Sequence, residues 1–414
     1  MRVLLVGSGG REHALAWKLV QSPLLTELHA APGNPGIAAL GQCHPVRADD
    51  LEAVLSLARA LAVDLVVVGP EVPLVAGLAD VLRSVGIPVF GPSRAAAAIE
   101  GSKTFAKALM ATAGVPTAAI LVEPAAPCVL KADGLAAGKG VVVCTTQAEV
   151  EAGLAALETL GGPLVIEELL EGPEISVFAL CDGVSALALS AAQDFKRAYD
   201  GDAGPNTGGM GSFAPLPSFA ADEIEELVGL SCRPVLAELA ERGHPFVGTL
   251  FAGLILTPAG PRVLEYNCRF GDPETQSLLP LIEGDLLPAL AACAAGDLSA
   301  VRLGQSEQAA VTVVLAGADY PARGDQGSTI TGIDAAEATG ALVFHAGTAL
   351  RDGALVTNGG RILDVTGVGV DLAAARAAAY QAADRISWDG VRRREDIALA
   401  ASLVRSSLER SPRR

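Results

Sequence analysis

Residues 131–140 read Lys-Ala-Asp-Gly-Leu-Ala-Ala-Gly-Lys-Gly and connect two predicted strands, Cys128–Lys131 and Val141–Cys144. The loop is not a Walker A phosphate loop, because its glycine spacing is too short and Gly140 stands where Ser or Thr would bind Mg²⁺. A glycine-rich strand–loop–strand with a lysine at each end can close over a triphosphate, offering N–H donors and two positive charges. An ordinary glycine-rich hairpin would not need the lysines. We therefore predict a flap that binds ATP.

A second signal lies in the predicted strand Arg262–Asn267. Glu265 and Asn267 are two residues apart, so both side chains point to one face of the strand. A carboxylate and an amide oxygen suit Mg²⁺, which takes one or two protein oxygens and fills its shell with phosphate and water. Arg269 follows, where an arginine can stabilise a transferring phosphoryl group. A solvated strand end is the alternative, but it does not explain the dense polar string over residues 267–274.

Residues 165–174 are predicted to run from a strand into an acidic loop. The backbone of such a strand end can bind the edge of an adenine ring, and a carboxylate a few residues on can accept from the ribose hydroxyls. Acidic loops are common, so this segment is a weak signal on its own.

A polar, glycine-rich segment, residues 193–211, is predicted to be a long loop between a strand and a helix. Compact domains rarely keep structureless loops of this length without a function. Its glycines permit close approach of the backbone to a ligand.

The first glycine loop, Gly7-Ser8-Gly9-Gly10, follows a strand and opens a helix, where N–H groups bind anions. A dinucleotide site would also need an acid at the end of the second strand, which instead reads His29-Ala30-Ala31-Pro32. We therefore predict a phosphate or substrate site rather than an NAD site. The alternative is that the glycines only allow the strand and helix to pack closely.

The chain as a whole reads as three units. Residues 1–100 are predicted to alternate between strands and helices, a pattern typical of a parallel sheet. One predicted helix is Leu74–Val85, and Asp50 is predicted to be the N-cap of another. Strands dominate from about residue 102, and a third β/α unit starts near residue 309. The length of 414 residues predicts two to four domains.

Composition excludes several classes of function. The formal net charge of −17 repels nucleic acid and anionic lipid, and no apolar run is long enough to span a membrane. The seven cysteines are odd in number and form no C-x-x-C pair, so we expect free thiols in a cytoplasmic, soluble protein.

Several strings together resemble the phosphoribosylamine–glycine ligase family of ATP-grasp enzymes. They are GGREHALAWKL, APGNPG, VVGPEVPL, FGPS, EGSKTF, KADGLAAGKGVVV, GPNTGGMG, LEYNCRFGDPETQ, FHAGT and TNGGR. The resemblance implies α/β and α+β domains: an N-terminal Rossmann-like parallel sheet over residues 1–101, an ATP-grasp domain over 102–304 with a mobile lid at about 115–180, and a C-terminal mixed β/α domain over 305–414. It implies ligation of glycine to 5-phosphoribosylamine through glycyl phosphate, with ATP and Mg²⁺ or Mn²⁺, by a monomer or weak homodimer.

The resemblance also implies roles for individual residues. Arg269 and Asp194 would be catalytic, and Glu265 and Asn267 would bind the metal. ATP would be bound by Lys103, Lys131, Gly138, Lys139, Gly140, Glu167, Leu169 and Glu174, with Glu167 and Leu169 acting through their backbone. The substrates would be bound by Gly9, Gly10, Asn34, Asn206, Thr207, Gly208 and Gly209.

Two departures from the family concern the lid. The chain is short between Pro116 and Lys131, and between Val150 and Val165 it lacks a second flap containing Phe-Gly. Three alternatives remain: another ATP-grasp ligase acting on a purine ribotide, an NAD-dependent dehydrogenase, or a non-catalytic nucleotide sensor.

Overall fold

The structure is a computed structural model that describes residues 1–135, 140–159 and 161–403. Two predicted ATP-binding residues, Gly138 and Lys139, lie outside the described residues. Among the helices of the described ranges, none is both long and apolar enough to cross a bilayer.

The N-terminal part forms the predicted parallel sheet. Its strands lie in the order β3-β2-β1-β4-β5, and the central residues Val3–Val6 are completely or almost completely buried because helices flank the sheet. Asp50 caps a helix as predicted. The predicted helix Leu74–Val85 is instead two helices, because Gly77 adopts a left-handed φ of 98° between them. The elements are β1 (Arg2–Gly7), α1 (Gly10–Leu19), β2 (Glu27–Pro32), α2 (Pro35–Ala38), β3 (Gln42–Cys43), α3 (Leu51–Ala60), β4 (Leu65–Val68), α4 (Glu71–Ala76), α5 (Leu78–Arg83) and β5 (Val89–Phe90).

Two helices lead into a small antiparallel sheet. The elements are α6 (Arg94–Gly101), α7 (Lys103–Ala113), β6 (Cys128–Ala132), β7 (Val141–Cys144), α8 (Gln147–Glu158) and β8 (Leu164–Glu168). The strands lie in the order β7-β6-β8, and we call them the flap sheet, because the predicted flap connects β6 to β7. Helix α8 packs on this sheet around Leu130, Val150 and Leu157, which gives it a small core of its own.

The next segment forms a second antiparallel sheet. The elements are β9 (Glu174–Asp182), β10 (Ala186–Ala188), β11 (Gln193–Asp194), β12 (Arg197–Tyr199), β13 (Ala203–Asn206), β14 (Gly211–Ala214), α9 (Ala221–Ser231), α10 (Arg233–Glu241), β15 (Val247–Thr257), β16 (Gly260–Asn267), α11 (Glu274–Leu278), β17 (Ile282–Glu283), α12 (Leu286–Ala295) and β18 (Gly304–Gln305). Strands β10-β9-β15-β16 form what we call the base sheet. The metal strand predicted from the sequence, β16, lies at its edge.

The C-terminal part completes a five-stranded antiparallel sheet. Its elements are β19 (Ala309–Ala316), β20 (Asp325–Thr329), α13 (Ile333–Glu337), β21 (Leu342–His345), β22 (Thr348–Arg351), β23 (Ala354–Gly359), β24 (Arg361–Gly369), α14 (Leu372–Ala383) and α15 (Leu399–Leu403). The strand order is β11-β14-β19-β24-β21. Two of these strands, β11 and β14, precede the β15–β16 hairpin of the base sheet in the chain. The prediction of a structureless loop over residues 193–211 is therefore wrong. Strand β11 pairs with β14, which pairs in turn with the distant β19, and β12 pairs with β13; the local sequence does not reveal these pairings.

Gly10 sets how closely the N-terminal and C-terminal parts approach. A Cβ atom at this position would lie 1.8 Å from Asp364 Oδ2 on β24 and 2.8 Å from Gln276 Nε2 on α11. Both of these partners are buried, so neither can move into solvent without breaking their hydrogen bond of 2.8 Å. Close packing thus explains at least part of the first glycine loop.

Gly10→Ala is expected to destabilise the protein by about 1–3 kcal/mol, the usual cost of overpacking a buried contact. Denaturant-induced unfolding of wild type and variant measures this difference. Gly229→Ala is the matched control, because Gly229 lies inside α9 and its nearest neighbour would be the mobile end of Arg233 at 3.3 Å. That substitution should be neutral or stabilise by about 0.5–1 kcal/mol. Equal effects of the two substitutions would contradict the packing argument.

Candidate active site

A cleft of about 600 Å³ lies between the flap sheet and the base sheet, a size typical of small-molecule sites. Most residues predicted from the sequence line it, although they are far apart in the chain. They are Lys103, Lys131, Gly140, Glu167, Leu169, Glu174, Asp194, Asn206, Thr207, Gly208, Glu265, Asn267 and Arg269. Gly9, Gly10, Asn34 and Gly209 lie outside the lining.

A buried carboxylate holds two lysines in the flap-sheet wall. Glu167 Oε2 lies 2.7 Å from Lys131 Nζ, and Oε1 lies 3.1 Å from Lys107 Nζ. Lys131 also donates to Leu264 O of the base sheet at 3.0 Å. Burial lowers the pKa of Lys107, an effect that Glu167 opposes. The position of Lys131 is therefore fixed by both sheets, and Lys107 is a lining residue that the sequence did not reveal.

The backbone of β8 distinguishes the two predicted adenine contacts. On one side of this strand, Ile166 O and Glu168 N bond to the segment 119–121. In an antiparallel ladder the groups of successive residues alternate in direction, so the N–H and C=O of Glu167 point toward β6. Leu169 follows the end of β8 and lines the cleft. The geometry therefore favours Leu169 over Glu167 for a backbone contact.

The N-terminus of α7 is tied to the start of the flap. Asp133 accepts hydrogen bonds from the Lys103 backbone N–H and from Ser102 Oγ. Burial would raise the pKa of Asp133, but hydrogen bonds from Thr104, Ser102 and the Lys103 backbone lower it. Lys103 Nζ donates to Gly134 O at 3.0 Å. The predicted phosphate ligand Lys103 is thus anchored at the base of the flap.

A lysine that was not predicted as a site residue lies among acids that were predicted to have roles in the site. Lys196 Nζ is 3.0 Å from Glu174 Oε2 and 3.9 Å from Glu265 Oε1. Burial would lower the pKa of Lys196, but Asp194 and these two glutamates raise it well above its ordinary value. Burial would raise the pKa of Glu265, but Lys196 and the neighbouring cations lower it. The only sequence signal for Lys196 was its place in the polar segment 193–211.

Arg269 is held by two carboxylates. Its Nη2 lies 3.0 Å from Glu100 Oε1, and its Nε lies 3.3 Å from Glu71 Oε2. Nη2 also donates to Asn267 Oδ1 at 3.1 Å, which links the arginine to the predicted metal strand. Burial would lower the pKa of Arg269, but Glu100 and Glu71 raise it. The two glutamates belong to the strings EGSKTF and VVGPEVPL, but no role was predicted for them.

The first glycine loop is occupied by polar groups of the protein itself. Gly9 N donates to Glu12 Oε2 at 2.6 Å, so a carboxylate already occupies this N–H group. Asn34 caps α2 through its side-chain oxygen, and its Nδ2 donates to Ser8 O at 2.9 Å and to His345 O at 2.7 Å. These bonds show a structural role for the loop, and its substrate contacts stay predictions.

The segment Asn206–Gly209 is fixed by the C-terminal part of the chain. Gly208 N donates to Tyr320 Oη at 2.9 Å. Arg361 Nη1 donates to Gly208 O at 2.6 Å and to Asp272 O at 2.8 Å. Neither Tyr320 nor Arg361 was predicted as a site residue, although Arg361 ends the string TNGGR. Residues of the third unit therefore hold a segment that lines the cleft without lining it themselves.

Glu274, at the start of α11, is a buried acid of the cleft. Its side chain accepts from Ser176 Oγ at 3.3 Å, and the residue is 3% exposed. Burial, reinforced by the charge of Asp194, raises the pKa of Glu274 to about 7. The carboxyl group is therefore mostly protonated in mildly acidic solution.

Three family models match the chain. They describe the N domain of phosphoribosylglycinamide synthetase at residues 1–100, its ATP-grasp (A) domain at 101–275 and its C domain at 310–400. A phosphoribosylamine–glycine ligase from Agrobacterium fabrum is 50% identical, with 96% of this chain and 98% of that protein covered.

Solved structures agree with this match. The crystal structure of phosphoribosylamine–glycine ligase from Thermotoga maritima has a TM-score of 0.83 at 35% identity, covering 96% of this chain and all of that one. The biotin carboxylase domain of Hydrogenobacter thermophilus 2-oxoglutarate carboxylase, solved with MgADP and bicarbonate, has a TM-score of 0.69 at 18% identity, covering 94% and 91% of the two chains. That second likeness shows the fold alone. The predicted fold class is confirmed.

The raised pKa of Glu274 predicts how stability varies with pH. The folded state holds its proton up to about pH 7, whereas an unfolded chain loses it near 4.5, so stability falls as pH rises between these values. Glu274→Gln removes this contribution and should make the variant more stable relative to wild type at pH 8 than at pH 5. Urea unfolding in EDTA at both pH values measures the difference. Glu226→Gln, on the exposed face of α9, is the control. If the stability of Glu274→Gln varied with pH as that of wild type does, the assignment of a raised pKa to Glu274 would be refuted.

Proposed function

The chain belongs to the phosphoribosylglycinamide synthetase family, and from that premise we propose how the cleft carries out the family's reaction. It is a carbon–nitrogen ligase of the ATP-grasp class. It joins glycine to 5-phosphoribosylamine through glycyl phosphate and yields glycinamide ribonucleotide, ADP and phosphate, a step of purine biosynthesis. The observation that carries the residue assignments is that one cleft collects most of the residues implied by the family resemblance.

ATP lies between the flap sheet and the base sheet in this proposal. Lys103 and Lys131 bind its phosphates, because both ammonium groups are anchored at the same wall of the cleft. The backbone of Leu169 binds the adenine edge. The half-exposed carboxylate of Glu174 accepts from the ribose hydroxyls, which requires it to exchange its bond to Lys196 for one to the sugar.

Glu265 and Asn267 would hold Mg²⁺, or Mn²⁺ in its place. Their oxygens suit a hard cation, and both residues line the cleft next to Asp194 and Glu174. Within the described ranges, no three His, Cys, Asp or Glu side chains are placed to bind a metal together. When bound, the ion neutralises phosphate oxygens of ATP. The low pKa of Glu265 keeps its carboxylate ionised for this purpose.

The chemistry has two steps. A carboxylate oxygen of glycine attacks the γ-phosphorus of ATP, and the bond to the β-phosphate oxygen breaks to release ADP. Arg269 stabilises the charge on the transferring group, since Glu71 and Glu100 hold its guanidinium in place. The amine of phosphoribosylamine then attacks the carbonyl carbon of glycyl phosphate, phosphate leaves, and the nitrogen loses a proton.

Glycine is bound beside Asp194 and the Asn206–Gly209 segment. Asp194 is half-buried in the cleft and has a raised pKa, so it is placed to accept the proton that the amine loses. Phosphoribosylamine is bound at the side of the cleft near the first glycine loop. A Cβ atom built on Gly9 would lie 3.5 Å from Asp272 Oδ2. Because Asp272 lines the cleft, the first glycine loop lies close to the cleft, which supports this placement.

We further propose that the protein acts in the cytoplasm as a monomer or weak homodimer. The free state of all seven cysteines supports a reducing compartment. The net charge of −17 disfavours nucleic acid and anionic membranes as partners.

ADP release with single substrates omitted tests the reaction. ADP should form with ATP, Mg²⁺, glycine and phosphoribosylamine together, and should fall to background without glycine. A ligase acting on a purine ribotide would instead form ADP only when that ribotide is added, whether or not glycine is present. A dehydrogenase or a nucleotide sensor would release no ADP under any of these conditions, so either pattern would reject the proposal.

Glu265→Gln tests the metal assignment while keeping the shape of the side chain. It should lower kcat at least about 100-fold, the scale of losing one preorganised electrostatic contact. Circular dichroism should show an unchanged fold, and calorimetric titration should show weaker Mg²⁺ binding in the presence of ADP. Glu238→Gln, a surface carboxylate of α10 that pairs with Arg242, is the control and should behave as wild type. Full activity of Glu265→Gln would remove the assignment.

A further inference from the structure

The β12–β13 hairpin leads directly into the Asn206–Gly209 segment, and the C-terminal residues 392–396 hold it in place. We propose that Arg394 is a positioning residue for this hairpin, and through it for the glycine-binding segment. The inference rests on the proposed role of Asn206–Gly209. It assigns a function in the reaction to a residue outside the cleft lining.

Arg394 is among the largest fully buried side chains of the described chain, at 1% exposure. Its Nη1 bonds to Asp202 Oδ1 at 2.8 Å and to Arg197 O at 3.1 Å, both on the hairpin. Its Nε and Nη2 each lie 2.7 Å from the carboxylate of Asp396. The guanidinium also lies 5.0 Å from the ring centre of Phe195, within cation–π distance. Arg394 thus joins the C-terminal segment to the first residue of β12 and to the turn that precedes β13.

Neighbours of Arg394 bind the same hairpin. Gly201 N donates to Asp396 Oδ2 at 2.8 Å, and Glu395 N donates to Asp200 Oδ1 at 2.8 Å. Arg392 Nη1 donates to Ala198 O at 3.1 Å. The tip and one strand are therefore attached to a single stretch of five residues.

The hairpin needs this attachment because it is a weak element by itself. It has two short strands with an irregular register, and residues 199–205 are exposed. An isolated two-stranded hairpin is at best marginally stable in water. Yet Arg197, Asp202 and Asn206 line the cleft. A site residue on such an element is positioned only as well as the element is anchored.

The chemistry of the contact predicts a graded response to substitution. Arg394→Met removes the buried guanidinium that bonds the exposed carboxylate of Asp202, the half-buried carboxylate of Asp396 and the Arg197 carbonyl oxygen, so the hairpin loses its common anchor. Arg394→Lys keeps the charge but loses the planar fork that bonds three groups at once. The lysine variant should therefore retain part of the anchoring, and it remains informative should the methionine variant fail to fold.

Hydrogen exchange followed by mass spectrometry tests the anchoring without requiring activity. In Arg394→Met, amides of residues 197–206 should exchange about tenfold faster or more, as for a locally opened segment, while those of β8 and β16 keep their wild-type rates. Arg394→Lys should fall between the two. Arg393→Met is the matched control, because Arg393 bonds to Asp384 and Glu395 rather than to the hairpin. Unchanged exchange of the hairpin in both Arg394 variants would overturn the proposal.

Steady-state kinetics tests the consequence for the reaction. Arg394→Lys should lower kcat/KM for glycine by about 10- to 100-fold, the scale of a misplaced contact, with KM for ATP changed less than about twofold. Faster hairpin exchange with unchanged glycine kinetics would keep the anchoring but refute the positioning role and the assignment of Asn206–Gly209 to glycine. Equal losses for ATP and glycine would indicate general destabilisation and would also overturn the proposal.

Discussion

The pairing of buried cations with buried carboxylates is the constraint on which the cleft depends. An acidic protein that binds ATP must gather positive charge locally, and a buried charge is tolerated only with a partner. Glu167 holds Lys131, Glu71 and Glu100 hold Arg269, and Lys196 lies among acids. The pairings of Lys131 and Arg269 join segments far apart in the chain. The same contacts that make the cations available to a triphosphate therefore also fix the sheets that carry them.

The two ends of the cleft are built differently. The end proposed to bind the nucleotide consists of regular strands, β6 and β8 against β16, tied by the bonds of Lys131. The end proposed to bind glycine consists of short strands and turns that contact the C-terminal part. Strand β14 pairs with β19, and Arg361 binds Gly208. Sites placed on regular elements are held more precisely than sites on loops, so the glycine end needs more supporting contacts.

Local pattern was enough to predict much of the fold. Strand β7 has the predicted bounds, and the predicted strands Cys128–Lys131 and Arg262–Asn267 fall within β6 and β16, because apolar patterns and flanking turn residues determine them. The errors arose where distant contacts decide. Strands β11 and β14, at the two ends of residues 193–211, lie in one sheet with the distant β19, and a left-handed Gly77 interrupts an otherwise continuous helical pattern. No local pattern in a single sequence contains such information.

The site shows the same division. Glu265 and Asn267 could be placed together because strand geometry alone puts them on one face. Lys107 could not be placed, because its role depends on Glu167, sixty residues away along the chain. The sequence strings shared with the family identified the remaining predicted residues, but they did not reveal which contacts hold the side chains of these residues in place. The residues that these strings did not identify are those that support the lining side chains, and their partners lie on other helices and strands. A close resemblance therefore identifies the groups that touch substrate sooner than those that keep them in position.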